Sequence, residues 1–209
     1  MAPCEPAFCG MMVRVERCTR RSIMTRIALA LFLAGALASL PAQAAGGFAL
    51  ASPSIKPGGM LTEAQVFNGF GCTGKNVSPA LEWKNAPKGT KSFALTVYDP
   101  DAPSGSGWWH WVVYNIPAAS TMLAEGAGSA DGKALPNGAV QGRTDFGAPG
   151  FGGACPPKGD KPHRYIFTVY ALKTEKIEAP ADGTAALIGF MIHANKLGQA
   201  SFTARYGRK

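Results

Sequence analysis

The chain has 209 residues, with 21 Lys+Arg against 13 Asp+Glu and a formal charge of +8. Its basic residues are scattered, which excludes the lysine/arginine runs of a nucleic-acid-binding surface and leaves only a mild preference for anionic partners. The length admits one or two domains, and the N-terminal portion reduces the expectation to one.

Ile27 to Leu40 (IALALFLAGALASL) is an uncharged apolar run preceded by Arg20, Arg21 and Arg26, and followed by the small-x-small triplet Ala42-Gln-Ala44. This pattern predicts a secretory signal cleaved after Ala44, because a bilayer span needs about 20 apolar residues and Pro41 and Gln43 interrupt the run. An uncleaved anchor is the alternative. Met24, just ahead of Thr25-Arg26, is a second possible start, and Thr19-Arg-Arg-Ser-Ile23 is a loose twin-arginine match. Cleavage would remove five arginines and two acids, leaving 165 residues with a formal balance of +5, enough for one buried domain. The expected organisation is an N-terminal extension and signal over 1–44 and a single domain over 45–209, in the periplasm or secreted, with no stable membrane insertion after cleavage.

Three of the five cysteines leave with that segment, so Cys72 and Cys155 remain. In an oxidising compartment a lone pair is more often bridged than free, which predicts a Cys72–Cys155 disulfide. A two-cysteine metal site is the poorer reading, since neither has a close Cys or His partner.

Residues 45–60, rich in Gly, Ala and Pro, read as an extended lead-in, and Gly69-Phe-Gly-Cys-Thr-Gly74 as a turn-rich loop. Asn76-Val-Ser78 matches a glycosylation sequon. Ser78 to Trp83 reads as a short strand. Phe93 to Tyr98 alternates clearly, with Phe93, Leu95, Val97 and Asp99 on one face and Ala94, Thr96 and Tyr98 on the other. Pro100 and Pro103 stop that strand, and Ser104-Gly-Ser-Gly107 turns the chain. Trp109 to Ile116 is apolar on both faces, as expected of a central strand in a sandwich. Residues 121–142 look loop-like and 143–159 extend the irregular region, which predicts loops folded over a site. His163 to Leu172 is the clearest strand, with His163, Tyr165, Phe167 and Val169 on one face. Asp182 is expected to cap a helix reaching about Leu197, with Leu187, Ile188, Met191 and Ile192 as its apolar stripe and Gly198 ending it. Ala200 to Tyr206 returns as a last strand.

The chemistry concentrates at the two turns. Asp99-Pro-Asp101 ends one strand and His110 lies in the next, while His163 and Tyr165 point the same way at the start of a third. A pocket holding Asp99, Asp101, His110, His163 and Tyr165 would be rich in donors once carboxylates orient the imidazoles. It would suit an oxyanion such as phosphate. A two-His, two-carboxylate metal site for hydrolysis is the second chemistry, without any short ligand spacing to support it. The same residues also fit an Asx turn and a core histidine. No nucleophile elbow, P-loop or dinucleotide fingerprint occurs, so no cofactor and no catalytic residue is assigned. His193, on the helix, is expected to be structural or exposed.

Asp99-Pro-Asp-Ala-Pro103, Gly107-Trp-Trp-His-Trp-Val-Val-Tyr-Asn115 and Pro156-Pro-Lys-Gly159 followed by His163-Arg-Tyr165 together resemble the phosphatidylethanolamine-binding proteins, in particular the bacterial branch described as Raf kinase inhibitor-like. The resemblance runs from about Phe48 to Tyr206. It implies a mostly β fold of two antiparallel sheets, the larger central, with a short C-terminal helix and strand closing the site. It also implies an anion pocket for phosphate, phosphorylated head groups or acetate-like anions, formed by Asp99, Asp101, Trp108, His110, Pro156, His163 and Tyr165. Of these, Trp108 and Pro156 rest on the resemblance alone. The chain departs from the eukaryotic members in its export signal and in its short helix-plus-strand ending, so a role inhibiting a cytoplasmic kinase of its own cell is not implied. The expectation is an exported, non-enzymatic anion-binding protein. Its rivals are a protein-interaction regulator of kinases or proteases, acting through loops 121–160, and a metal-dependent hydrolase.

Overall fold

Eight residues with alternating apolar side chains, Ser92–Asp99, form the strand on which the rest is assembled. In the computed structural model, which describes residues 46–209, the elements in chain order are β1 (Ala49–Ala51), β2 (Asn68–Gly69), β3 (Cys72–Thr73), β4 (Leu81–Lys84), β5 (Ser92–Asp99), β6 (Trp108–Pro117), β7 (Met122–Leu123), β8 (Val140–Gln141), β9 (His163–Leu172), α1 (Ala185–Asn195) and β10 (Lys196–Tyr206). The expected signal sequence and its cleavage point lie outside the described residues.

The main sheet has the order β10-β9-β5-β6-β8 and is antiparallel throughout. A three-stranded sheet, β1-β4-β7, and a β2-β3 hairpin complete the β structure. Both faces of β5 are buried because each meets a different layer. Phe93, Leu95 and Val97 join Trp111, Phe167 and Val169 in a core closed by Leu50, Leu81, Trp83 and Leu123 of the smaller sheet. Ala94 faces the other way with Val112, Tyr114, Tyr170 and Leu172, under Ala185, Ile188 and Ile192 of α1. Burying aliphatic and aromatic side chains at about 25 cal/mol per Å² on both sides makes this strand the hardest to displace.

Several expectations need correction. β6 is an internal strand, as its two apolar faces predict, but its outer neighbour β8 has only two residues and β5 is the middle strand of the five. A bulge at Asn115, at φ 58, returns Ile116 to the same core as Trp111 and Val113, a phase change that strict alternation misses. The Asn115 side chain fixes the bulge by bonding the Ile177 backbone in both directions, at 2.7 and 3.3 Å. Region 121–142 contains β7 and β8, whose two-residue lengths are too short to leave a periodic signal. Thr184, not Asp182, caps α1, its hydroxyl accepting the Leu187 N–H at 3.2 Å. The buried helix face is Ala185, Ile188, Gly189 and Ile192, while Leu187 is exposed. The helix stops at Asn195 and Gly198 lies inside β10, beside a bulge.

Cys72 and Cys155 form the disulfide, joining positions 83 residues apart. A loop of that length corresponds to a chain-entropy stabilisation of about 4 kcal/mol. Asn76 of the sequon is occupied internally, its amide donating to the Phe151 carbonyl at 3.0 Å and its oxygen accepting from Gly153 at 2.7 Å.

Candidate functional site

The end of β5 and the starts of β6 and β9 lie side by side, so the chemistry-bearing residues of all three strands open onto one cavity. Its volume is about 140 Å³, and Asp99, Trp108, His110, Pro156, His163 and Tyr165 line it. Phe70, Phe146 and Pro157 are among the further lining residues, and they make the walls predominantly apolar.

The Asp99–Asp101 turn does two jobs. Oδ1 of Asp99 accepts the Asp101 N–H at 2.8 Å, an Asx turn, while Oδ2 accepts from Nδ1 of His163 at 2.8 Å. Asp99 and His163 are both buried, so the carboxylate fixes which imidazole nitrogen carries that proton. Nε2 of His163 then faces outward, 3.3 Å from the half-exposed Asp160 carboxylate. The turn closes at Gly107, at φ 71, where a Cβ would overlap the Tyr98 hydroxyl and approach the Asp99 carbonyl at 2.6 Å. That hydroxyl donates to the Ser106 carbonyl at 2.6 Å.

Asp101 does not line the cavity. Its carboxylate is taken by the Arg164 side chain at 2.7 and 2.9 Å and by the Arg164 N–H at 2.9 Å. The Arg164 hydrogen bonds hold its carboxyl down at about 2. Because Arg164 alternates with His163 along β9, this pair ties the strand to the turn from the face opposite the cavity.

His110 donates from Nδ1 to the Gly152 carbonyl at 2.7 Å, which leaves Nε2 available as an acceptor. Burial pushes its pKa down, opposed by the Gly152 hydrogen bond and by Asp99, so the neutral ring is favoured near pH 7. The ring is packed edge-on against Tyr165 at 5.1 Å and Phe146 at 5.4 Å. The Tyr165 hydroxyl is buried and has no hydrogen-bond partner. Burial pushes its pKa well up, with Asp99 adding to the effect, so the phenol remains a donor at any physiological pH.

The three aromatic rings at the opening were only partly legible. Trp108 meets Phe146 edge-on at 5.5 Å, and Phe70 lies nearly parallel to Phe146 at 5.8 Å. Phe146 comes from the glycine-rich stretch expected to fold over a site. Phe70 sits at the tip of the β2–β3 hairpin, at φ 53, and its signal was its position between Gly69 and Gly71, next to Cys72. Cys155 lines the cavity beside Pro156. His193 is exposed on α1, against Tyr170 and away from the cavity.

Among the described residues no group of three His, Cys, Asp or Glu side chains could hold a metal ion. Also among them, no helix is long and apolar enough to cross a membrane.

The family model described as Phosphatidylethanolamine-binding protein matches residues 51–207. The UPF0098 protein YbcL of Escherichia coli is 60% identical over 171 residues, covering 82% of this chain and 93% of that protein. The UPF0098 protein YbhB of the same organism is 51% identical over 157 residues, 75% of this chain and 98% of that protein. The crystal structure of E. coli YbcL, described as a new member of the mammalian PEBP family, superposes with a TM-score of 0.77, covering 78% of this chain and 100% of that one. The chain belongs to the phosphatidylethanolamine-binding protein family.

Proposed function

We propose that this protein is an exported, non-enzymatic binding protein whose cavity takes a small phosphate-type oxyanion, free or as the phosphorylated end of a larger molecule. The observation that carries this reading is Tyr165, a residue of the cavity lining whose buried hydroxyl has no hydrogen-bond partner. An unmatched buried hydroxyl costs about 1–3 kcal/mol, and an oxyanion oxygen is the acceptor that relieves it. Nε2 of His163 supplies a second polar contact and His110 Nε2 an acceptor for a ligand O–H, so a partly protonated phosphate matches the set. A volume of about 140 Å³ admits such an ion with a short substituent and no more.

Export is supported by the apolar segment 27–40 with its flanking arginines, and by a disulfide of the kind that persists in oxidising compartments. The test is an NMR titration with phosphate and phosphoethanolamine, following the imidazoles of His110 and His163 with His193 as internal control. Saturable shifts at the first two alone are expected. No movement at millimolar ligand would sink the anion reading and leave protein contact through loops 121–160 as the reading to pursue.

A further inference from the structure

Beyond the Val66–Ala154 backbone bridge at the base of the hairpin, two independent connections join the same two pieces of chain at the cavity opening. The first is the Cys72–Cys155 disulfide. The second is Arg208, in the segment that follows β10: its Nε donates to the Pro156 carbonyl at 2.6 Å and its Nη1 to the Gly71 carbonyl at 3.1 Å. Gly71 and Pro156 are the immediate neighbours of Cys72 and Cys155. Arg208 is itself held in place, because its carbonyl accepts the Gly159 N–H at 3.2 Å and it bridges to Lys158. None of the ion pairs among the described residues uses its guanidinium, so both donors are committed to the two carbonyls.

What these connections restrain has a standing tendency to relax. The β2–β3 hairpin has only two residue pairs, Asn68↔Thr73 and Gly69↔Cys72, and a hairpin that short is marginal by itself. Its turn holds Phe70 at φ 53, a region that bulky side chains avoid, and leaves that ring 69% exposed, so packing restrains it weakly. Phe70 is nevertheless one wall of the cavity and Pro156 another.

We propose that Arg208 is a positioning residue of the anion site. Its guanidinium fork and the disulfide are parallel clasps on the Phe70 and Pro156 walls, either one sufficient, so that anion affinity becomes redox-dependent only when the fork is removed. This inference rests on the cavity taking an oxyanion. A lysine at 208 would keep the charge but present one nitrogen, which cannot span two carbonyls as a planar fork does.

The test measures inorganic phosphate affinity by NMR titration of the full chain as wild type, Arg208→Gln and Arg208→Lys, each oxidised and after reduction by dithiothreitol, with the same spectra confirming the fold. Reduced wild type and oxidised Arg208→Gln should each stay within about threefold of oxidised wild type. Reduced Arg208→Gln and reduced Arg208→Lys should be weaker by roughly tenfold or more, the non-additivity expected of two restraints on one element. The rate of disulfide reduction, which needs no ligand, should rise about fivefold in both variants, because the fork braces the neighbours of both cysteines and its loss exposes the buried Cys72 sulfur beside the half-buried Cys155. Strictly additive effects, unchanged reduction rates, or a reduced Arg208→Lys protein that binds like reduced wild type would each overturn the clasp. Absence of phosphate binding by oxidised wild type would instead overturn the anion reading and the positioning role with it, while the reduction rates still decide whether the walls are clasped.

Discussion

Replacing Tyr165 with phenylalanine removes one oxygen from a buried wall and should move stability and affinity in opposite directions. In the free protein the hydroxyl is buried with no partner, so its loss removes a desolvation cost of about 1–3 kcal/mol. The ring itself stays, packed edge-on to His110 at 5.1 Å, so no cavity is created. The variant should therefore be as stable as wild type or up to about 1 kcal/mol more stable, the remainder being lost to local relaxation. Phosphate binding should weaken by roughly tenfold to a hundredfold, because a hydrogen bond to a charged group contributes about 1.5–3 kcal/mol. Urea unfolding gives the first number and calorimetric titration with phosphate the second. A variant that loses stability while keeping its phosphate affinity would refute the reasoning, since the hydroxyl would then have a partner inside the fold and no role toward a ligand.

Three further predictions concern the surrounding groups. Burial depresses His110, and a bound oxyanion beside Nε2 would raise its pKa; the complex then holds more protons than the free protein, and sulfate affinity should increase as pH falls through and below 6.5, with proton uptake visible as a buffer-dependent binding enthalpy. Affinity that rises with pH, with no buffer dependence, would contradict this assignment. Asp101→Asn should cost about 0.5–1 kcal/mol at pH 7, the pair with Arg164 being partly exposed. Because the folded carboxyl is held at about 2 against 3.8 when unpaired, that difference should vanish in thermal melts as pH falls from 3.8 toward 2. Phosphate affinity should change by less than about threefold in this variant, Asp101 being outside the cavity lining. Gly107→Ala should lower stability by about 2–3 kcal/mol in urea melts, since its Cβ meets the Asp99 carbonyl at 2.6 Å and φ is 71; a loss under 0.5 kcal/mol would show that the turn can shift.

The site was legible in the sequence to the extent that strands alternate. Once β5 and β9 were recognised by period, Asp99, His163 and Tyr165 had to share the face of Phe93 and Phe167, and the core shows those apolar residues on one side. What alternation does not contain is the partner of each polar atom. Asp101 lies two residues from Asp99 and looks equivalent in sequence, yet Arg164 takes its carboxylate from outside the cavity. Phe70 and Phe146 carry no periodic signal at all, because they stand in turns whose path is fixed by contacts distant in sequence. The helix cap was missed for a related reason: Asp182 and Thr184 are both good capping residues, and the choice fell to the backbone geometry entering α1, which Thr184 meets at φ −69 and ψ 156.

The sequence by itself determined the longer strands, the paired cysteines and the family, because these depend on residue type and spacing along one chain. Only the tertiary structure decided which groups are left without partners. Whether the Tyr165 hydroxyl, the His110 Nε2 or the Arg208 guanidinium is free or engaged depends on atoms brought within about 3 Å from segments far apart in the chain, since hydrogen bonds are short-ranged and directional while the chain can approach itself from many directions.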